Sequence, residues 1–178
     1  LHRLTTIGCF ARITDISPKS IEELKQLRSC GFNGVTIGVE TGDDEALAFM
    51  HKGNTSTDIL EQCRKLDEAG IEYNFFYLTG IYGKGKSADG VENTLKVFNQ
   101  LNPKIVGASM LTVYTNSELY NEIQNGNWVE ESETEKYNEL KMLINGLLIK
   151  THFAALGASN ALQLHGDLPS DKAELISA

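Results

Sequence analysis

Residues 34–53 read GVTIGVETGDDEALAFMHKG. The run led by Val35, Ile37 and Val39 predicts a strand over 34–40, because β-branched residues bounded by glycine favour the pleated, half-buried state. Asp43 and Asp44 then supply an N-terminal cap and first-turn negative charge for a short helix over 43–51. Gly53 stops it. A carboxylate, Glu40, closes the strand, and a cation, Lys52, closes the helix. Each has an ordinary explanation, Glu40 as helix-start charge and Lys52 as a cation near a helix's negative end. Taken together they offer a carboxylate for hydroxyls or an amine and an ammonium for a carboxylate, the pair that a zwitterionic or ribosyl ligand would use.

The same strand-to-helix rhythm extends on both sides. The spacing predicts a first strand over 4–14, with Ser17 and Pro18 opening a helix over 18–30 that Gly31 ends. A helix over 56–69 follows, capped by Thr55 or Ser56 and closed by Gly70. Next come a strand over 72–79, a glycine-rich turn over 80–87, a helix over 88–101 and a strand over 105–113. The strands read as apolar on both faces, which predicts a parallel sheet with helices on both sides. The spacing is that of repeated βα units, roughly 30 residues each. After 116 the rhythm changes to helices over 117–125 and 132–151, then a loop and a last helix from Ser170. The fold class is therefore α/β, a partial (β/α) barrel of parallel strands over 1–116 with a helical C-terminal extension over 117–178. In such folds ligands bind where the C-terminal strand ends meet the following loops.

Charge and composition narrow the function. At 178 residues with a net charge of −8, the chain carries no cationic surface for broad nucleic-acid binding. No apolar run is long enough to span a membrane, and Leu1–Phe10 does not read as a signal peptide. The three cysteines, Cys9, Cys30 and Cys63, are scattered, neither a disulfide framework nor a metal site, which suits a reducing cytoplasm. His51, beside Lys52, reads as an exposed helix-end histidine, and His152 and His165 lack ligand spacing to another histidine or to cysteine. Phe75, Phe76 and Tyr77 read as core, whereas Tyr82 could line a pocket.

Residues 80–87, GIYGKGKS, fit the phosphate-binding pattern GxxxxGK[ST], with Lys86 and Ser87 in the outer-phosphate and magnesium positions. To complete the magnesium site, strand 105–113 ends in VYTN with no acidic residue, and strand 4–14 offers only Asp15 beyond its end. Glycine also serves any turn that needs positive φ. A nucleotide-binding module, or a phosphate-binding barrel fragment with Lys86 as the anion's partner, is thus an alternative reading.

Three blocks in order, GVTIGVETGDDEALAFMHKGNT, LDEAGIEYNFFYLTGIYG and NPKIVGASMLTVYTNSEL, resemble the second half of the radical SAM core. Within it they look most like the oxygen-independent coproporphyrinogen III oxidase-like Fe–S oxidoreductases, as does the tail HFAALGASNALQLHGDLPSDKAELI. The resemblance implies strands three to six of a (β/α)6 partial barrel that binds S-adenosylmethionine and a [4Fe–4S] cluster and generates a 5′-deoxyadenosyl radical. It assigns Glu40 to the ribose or methionine part of the cofactor and Lys52 to the methionine carboxylate. Leu78 becomes an apolar contact of the adenine, and Leu111 and Thr112 meet the adenine through backbone groups. It also implies a small-molecule substrate and a reductase as electron donor.

Two departures stand out. Phe76 occupies a position that is an aspartate in several relatives, and the CxxxCxxC cluster loop is absent. Three scattered cysteines cannot replace a loop whose thiolates must converge. The chain therefore reads as an inactive portion of a longer enzyme. Strand 4–14 then presents a bare edge, which pairs with a second copy or is covered by the C-terminal segment.

Overall fold

The computed structural model describes residues 7–177. Strands β1 (Ile7–Ala11), β2 (Phe32–Glu40), β3 (Glu72–Thr79), β4 (Ile105–Met110), β5 (Thr151–Ala155) and β6 (Leu164–Leu168) form one sheet in sequence order. Neighbours from β1 to β5 are parallel, and β6 turns back antiparallel to β5. The helices are α1 (Ile13–Ile16), α2 (Ile21–Ser29), α3 (Asp44–Phe49), α4 (Ser56–Ala69), α5 (Ser87–Phe98), α6 (Glu118–Gln124), α7 (Glu133–Gly146) and α8 (Lys172–Ser177). Among the described residues, no helix is long and apolar enough to cross a membrane.

Among the described residues, only one face of the sheet is covered, which corrects the expectation of helices on both sides. Val35, Ile37 and Val39 of β2, Tyr73, Phe75 and Tyr77 of β3, and Val106 and Ala108 of β4 are buried in the core. The alternate positions, Gly34, Thr36 and Gly38, then Asn74 and Phe76, then Gly107 and Ser109, are half-buried or exposed. Side chains alternate between faces with period two, so one apolar set suffices for the core. Apart from Phe76, the residues of the other set named above are small or polar, and Asn74 donates to the Thr36 hydroxyl across it at 3.3 Å.

Local chemistry explains where element boundaries differ from expectation. The first strand ends at Ala11 because Arg12 caps α1, its amide donating to Asp15 at 2.8 Å, and Ile13 and Ile16 drop into the core. The following helix starts at Ile21 rather than at Pro18. Ser20 and Glu23 form a reciprocal capping box, which satisfies two orphan amides at once. Thr55 and Asp58 do the same for α4, and Gly70 ends it at φ 70°.

The tail departs most. The helix expected over 132–151 ends at Gly146, and two strands, β5 and β6, occupy what reads as loop. They extend the sheet beyond β4, so the C-terminal segment does not cover β1. The outer edge of β1 has no partner strand among the described residues.

Candidate functional site

The C-terminal ends of β2, β3 and β4 form one rim of the open face, and Glu40 stands on it. Its backbone is left-handed, φ 62°, and the β2–β3 register shifts between Gly38 and Glu40. A non-glycine residue held so costs about 1 to 3 kcal/mol, which the surrounding contacts must offset. The bulge returns the Glu40 side chain over Gly38, where a Cβ would lie 2.8 Å from Glu40 Oε1. A methyl there would push the carboxylate end of Glu40 aside.

Lys52 is delivered by the end of α3. His51 is left-handed at φ 51°, its amide bonds to Ala48 O at 3.1 Å, and that of Lys52 bonds to Leu47 O at 3.0 Å. This is a Schellman ending with His51 in the position usually taken by glycine. It turns the lysine back so that Nζ reaches Glu40 Oε1 at 3.2 Å, both side chains 19% exposed. The other carboxylate oxygen accepts no hydrogen bond from the described residues.

The remaining expected contacts lie along the same rim. Leu78 is half-buried near the end of β3, with Ser109 opposite it in register. Leu111 follows β4, its amide donating to Thr79 O at 2.9 Å and its carbonyl facing Lys136 Nζ at 3.5 Å. Thr112 is exposed. Phe76 is 38% exposed on the open face, and no carboxylate stands there. The cavity beside Glu40, about 420 Å³, is bordered by Phe10, Arg12, Gly38 and Phe76.

Below the rim lies a buried polar network that the sequence reading did not anticipate. Thr41 shares hydrogen bonds of 2.9 Å with both Tyr82 and Thr94, and Tyr82 and Thr94 meet at 2.9 Å. Tyr77 lies 3.2 Å from Tyr82 and donates to Glu139 Oε1 at 2.6 Å. Glu139, fully buried, also accepts the Gly80 amide at 2.9 Å. Burial holds its carboxyl well above the usual carboxylate range, and the neighbouring Glu131 adds repulsion. A buried glutamate on an otherwise helical face was the one available signal. Asn160 was missed as well: it bonds Ala108 O at 2.9 Å and the Met110 amide at 3.1 Å, completing β4 where its pairing with β5 ends.

Three backbone amides of the GIYGKGKS turn already have partners within the protein. Its Gly80 amide is taken by Glu139, its Lys84 amide by Val129 O, and its Lys86 amide by Gly83 O. Lys86 pairs at the surface with Glu45 at 2.5 Å, and the Ser87 hydroxyl is buried against Glu131 at 2.7 Å. A carboxylate on the first glycine amide is what an incoming phosphate would have to displace.

No group of three histidine, cysteine or acidic side chains converges on a metal position among the described residues. Cys9 and Cys30 are exposed, and Cys63 is buried. The described residues do not fit an iron–sulfur cluster. The rim does fit the amino-acid end of a zwitterionic ligand, because opposite charges stand together over Gly38.

Residues 3–98 match the family model of the Radical SAM superfamily. Over 131 residues the chain is 28% identical to the anaerobic magnesium-protoporphyrin IX monomethyl ester cyclase of Rubrivivax gelatinosus, covering 74% of this chain and 23% of that protein. It thus spans about a quarter of the curated relative's length. Its fold is similar to that of Elp3 from Methanocaldococcus infernus, with a TM-score of 0.70 at 19% identity, covering 85% of this chain and 35% of the other. It is also similar to the radical S-adenosylmethionine methyltransferase TsrM of Kitasatospora setae, solved with cobalamin and a [4Fe–4S] cluster. There the TM-score is 0.54 at 22% identity, over 67% of this chain and 21% of the other.

Proposed function

This chain belongs to the radical SAM superfamily, and from that membership we propose that its open face and rim hold S-adenosylmethionine, with Glu40 and Lys52 as the charged contacts. Lys52 exchanges its partner Glu40 for the ligand's carboxylate, and Glu40 turns to the ligand's ammonium or ribose hydroxyls. Leu78 packs on the adenine, and Leu111 and Thr112 border it. When bound, that cofactor supplies the one-electron chemistry of this superfamily. The cluster that must accompany it takes its ligands from residues outside this chain, so the chain alone is inactive. The whole protein acts as an oxidoreductase-like enzyme on a small-molecule substrate in the cytoplasm, with a reductase as electron donor.

The observation that carries this reading is the Glu40–Lys52 pair at 3.2 Å, built by two left-handed non-glycine residues. Strain at two positions that both serve one ion pair points to a ligand site. Calorimetric titration with S-adenosylhomocysteine tests it. Binding that weakens about tenfold or more in Lys52→Ala, as loss of one charge-assisted contact requires, supports the assignment. Equal affinity of the variant sinks it. For the whole protein, the gene must encode CxxxCxxC within roughly 100 positions before Leu1, about three βα units. Reconstitution with iron and sulfide must then yield 5′-deoxyadenosine.

A further inference from the structure

The network beneath the rim is continuous. Gly42 N–H donates to Thr94 Oγ1 at 2.9 Å, and Asp43 N–H donates to Thr41 Oγ1 at 3.0 Å. Each hydroxyl that accepts an amide proton has its own proton to pass on, and both face the Tyr82 hydroxyl at 2.9 Å. The Tyr77 hydroxyl in turn lies within donating distance of both the Tyr82 hydroxyl, at 3.2 Å, and Glu139 Oε1, at 2.6 Å. An unbroken run of hydrogen bonds therefore joins the turn after Glu40, through Thr41, Tyr82 and Tyr77, to one buried carboxyl group. The same carboxyl accepts Gly80 N–H, so it ties the turns after β2 and β3 together from below. Hydrogen-bond chains of this kind polarise one another in a low-dielectric interior, and a missing end acceptor is felt along the chain.

Packing leaves the chain little freedom. Tyr82 is 5% exposed, and its ring lies where a Cβ on Gly90 would be, 2.3 Å away. Gly42 is also tight, a Cβ there meeting Thr94 Cα at 2.9 Å. The turn bearing Glu40 is thus pressed onto α5 and held there by hydroxyls, while Glu40 itself sits in a backbone conformation that it would leave if the turn relaxed.

We propose that Glu139 is a positioning residue for the rim: acting through Tyr77, Tyr82 and Thr41, it holds the 41–43 turn that sets the aim of Glu40, and thereby sets ligand affinity at a site it does not touch. The affinity part of this inference rests on the ligand reading given above. The structural part does not.

The test separates the two. Tyr82→Phe keeps the ring against Gly90 and removes only the middle hydroxyl, while Thr41 and Thr94 still bond each other. Amide hydrogen exchange is measured at Gly42 and Asp43, with the melting temperature as the check on folding and S-adenosylhomocysteine as the titrated probe. Exchange at these amides speeds at least tenfold, melting shifts by only a few degrees, and affinity for the probe falls about fivefold. Glu139→Gln retains an acceptor oxygen for Tyr77 and keeps exchange near the parent rate, whereas Glu139→Leu behaves as Tyr82→Phe does. Unchanged exchange in Tyr82→Phe overturns the inference while leaving the ligand reading intact. Faster exchange with unchanged affinity, in a protein whose Lys52→Ala variant does lose affinity, overturns the positioning role. Equal affinity in Lys52→Ala overturns the ligand reading, and the affinity half of this inference falls with it.

Discussion

Nζ of Lys52 lies 3.2 Å from Oε1 of Glu40, and each residue reaches that meeting from a neighbourhood of positive φ, Glu40 by its own and Lys52 through His51. The backbone cost of the arrangement makes its stability consequences specific.

Glu40→Gly and Glu40→Ala both remove the carboxylate, but only Ala keeps a Cβ at φ 62°. Glycine adopts that conformation freely, so the Gly variant should be the more stable of the two by about 1 kcal/mol. Urea denaturation compares them. An Ala variant as stable as the Gly variant would show that the left-handed backbone carries no strain.

Gly90→Ala places a methyl 2.3 Å from the Tyr82 ring. The helix-propensity gain is about 1 kcal/mol, whereas inserting volume into a packed core costs about 1 to 3. At such a distance the clash wins, and chemical denaturation should show a net loss of about 1 to 2 kcal/mol. Gly126→Ala, with φ 76° but open space around it, should lose about 1 kcal/mol through backbone alone.

Burial raises the Glu139 and Glu131 carboxyls above their unfolded values near 4.5, the Ser87 hydroxyl partly offsetting the shift at Glu131. A raised folded value means the native state binds protons more tightly. Stability from this pair is therefore fullest below the unfolded value and is lost as pH rises through the folded one. Urea midpoints measured from about pH 4 upward should fall more for the parent than for Glu139→Gln, which cannot lose a proton. Parallel curves would contradict the raised carboxyl.

Lys86→Ala removes a surface pair whose partners are 63% and 74% exposed, so stability should change by about 0 to 1 kcal/mol. Equilibrium dialysis should find no tight magnesium–ATP binding in either form. Tight binding abolished by this substitution would restore the phosphate reading of GIYGKGKS.

Cys9 and Cys30 are exposed, while burial pushes the Cys63 thiol up and encloses it in the core under α4. A thiol reagent should label the two exposed cysteines quickly in the native protein and Cys63 only on unfolding. Native labelling of Cys63 at a comparable rate would show that α4 opens locally.

Much of the parallel sheet was legible because its strands obey local rules. β3 spans Glu72–Thr79 as its apolar run predicts, and Gly70 and Thr55 punctuate α4 through conformations that their own side chains favour. β5 and β6 were not legible. THFAA is too short for a period to show, and LHGDL includes glycine and aspartate, so pairing with neighbours rather than propensity makes them strands.

Glu40 and Lys52 could be singled out from the sequence because a charge at a strand end and one at a helix end are visible as types in positions. Their meeting was decided by tertiary structure, since it depends on a register shift in β2 and a left-handed turn at His51. The same holds for Glu139, which comes from a helix more than fifty positions beyond the turns it binds, next to hydroxyls that read as ordinary core and helix residues. Periodicity determines which face of an element is apolar, because that is a property of one segment. Which polar groups are buried together is set only when segments pack, because a buried donor takes its acceptor from whatever chain lies against it.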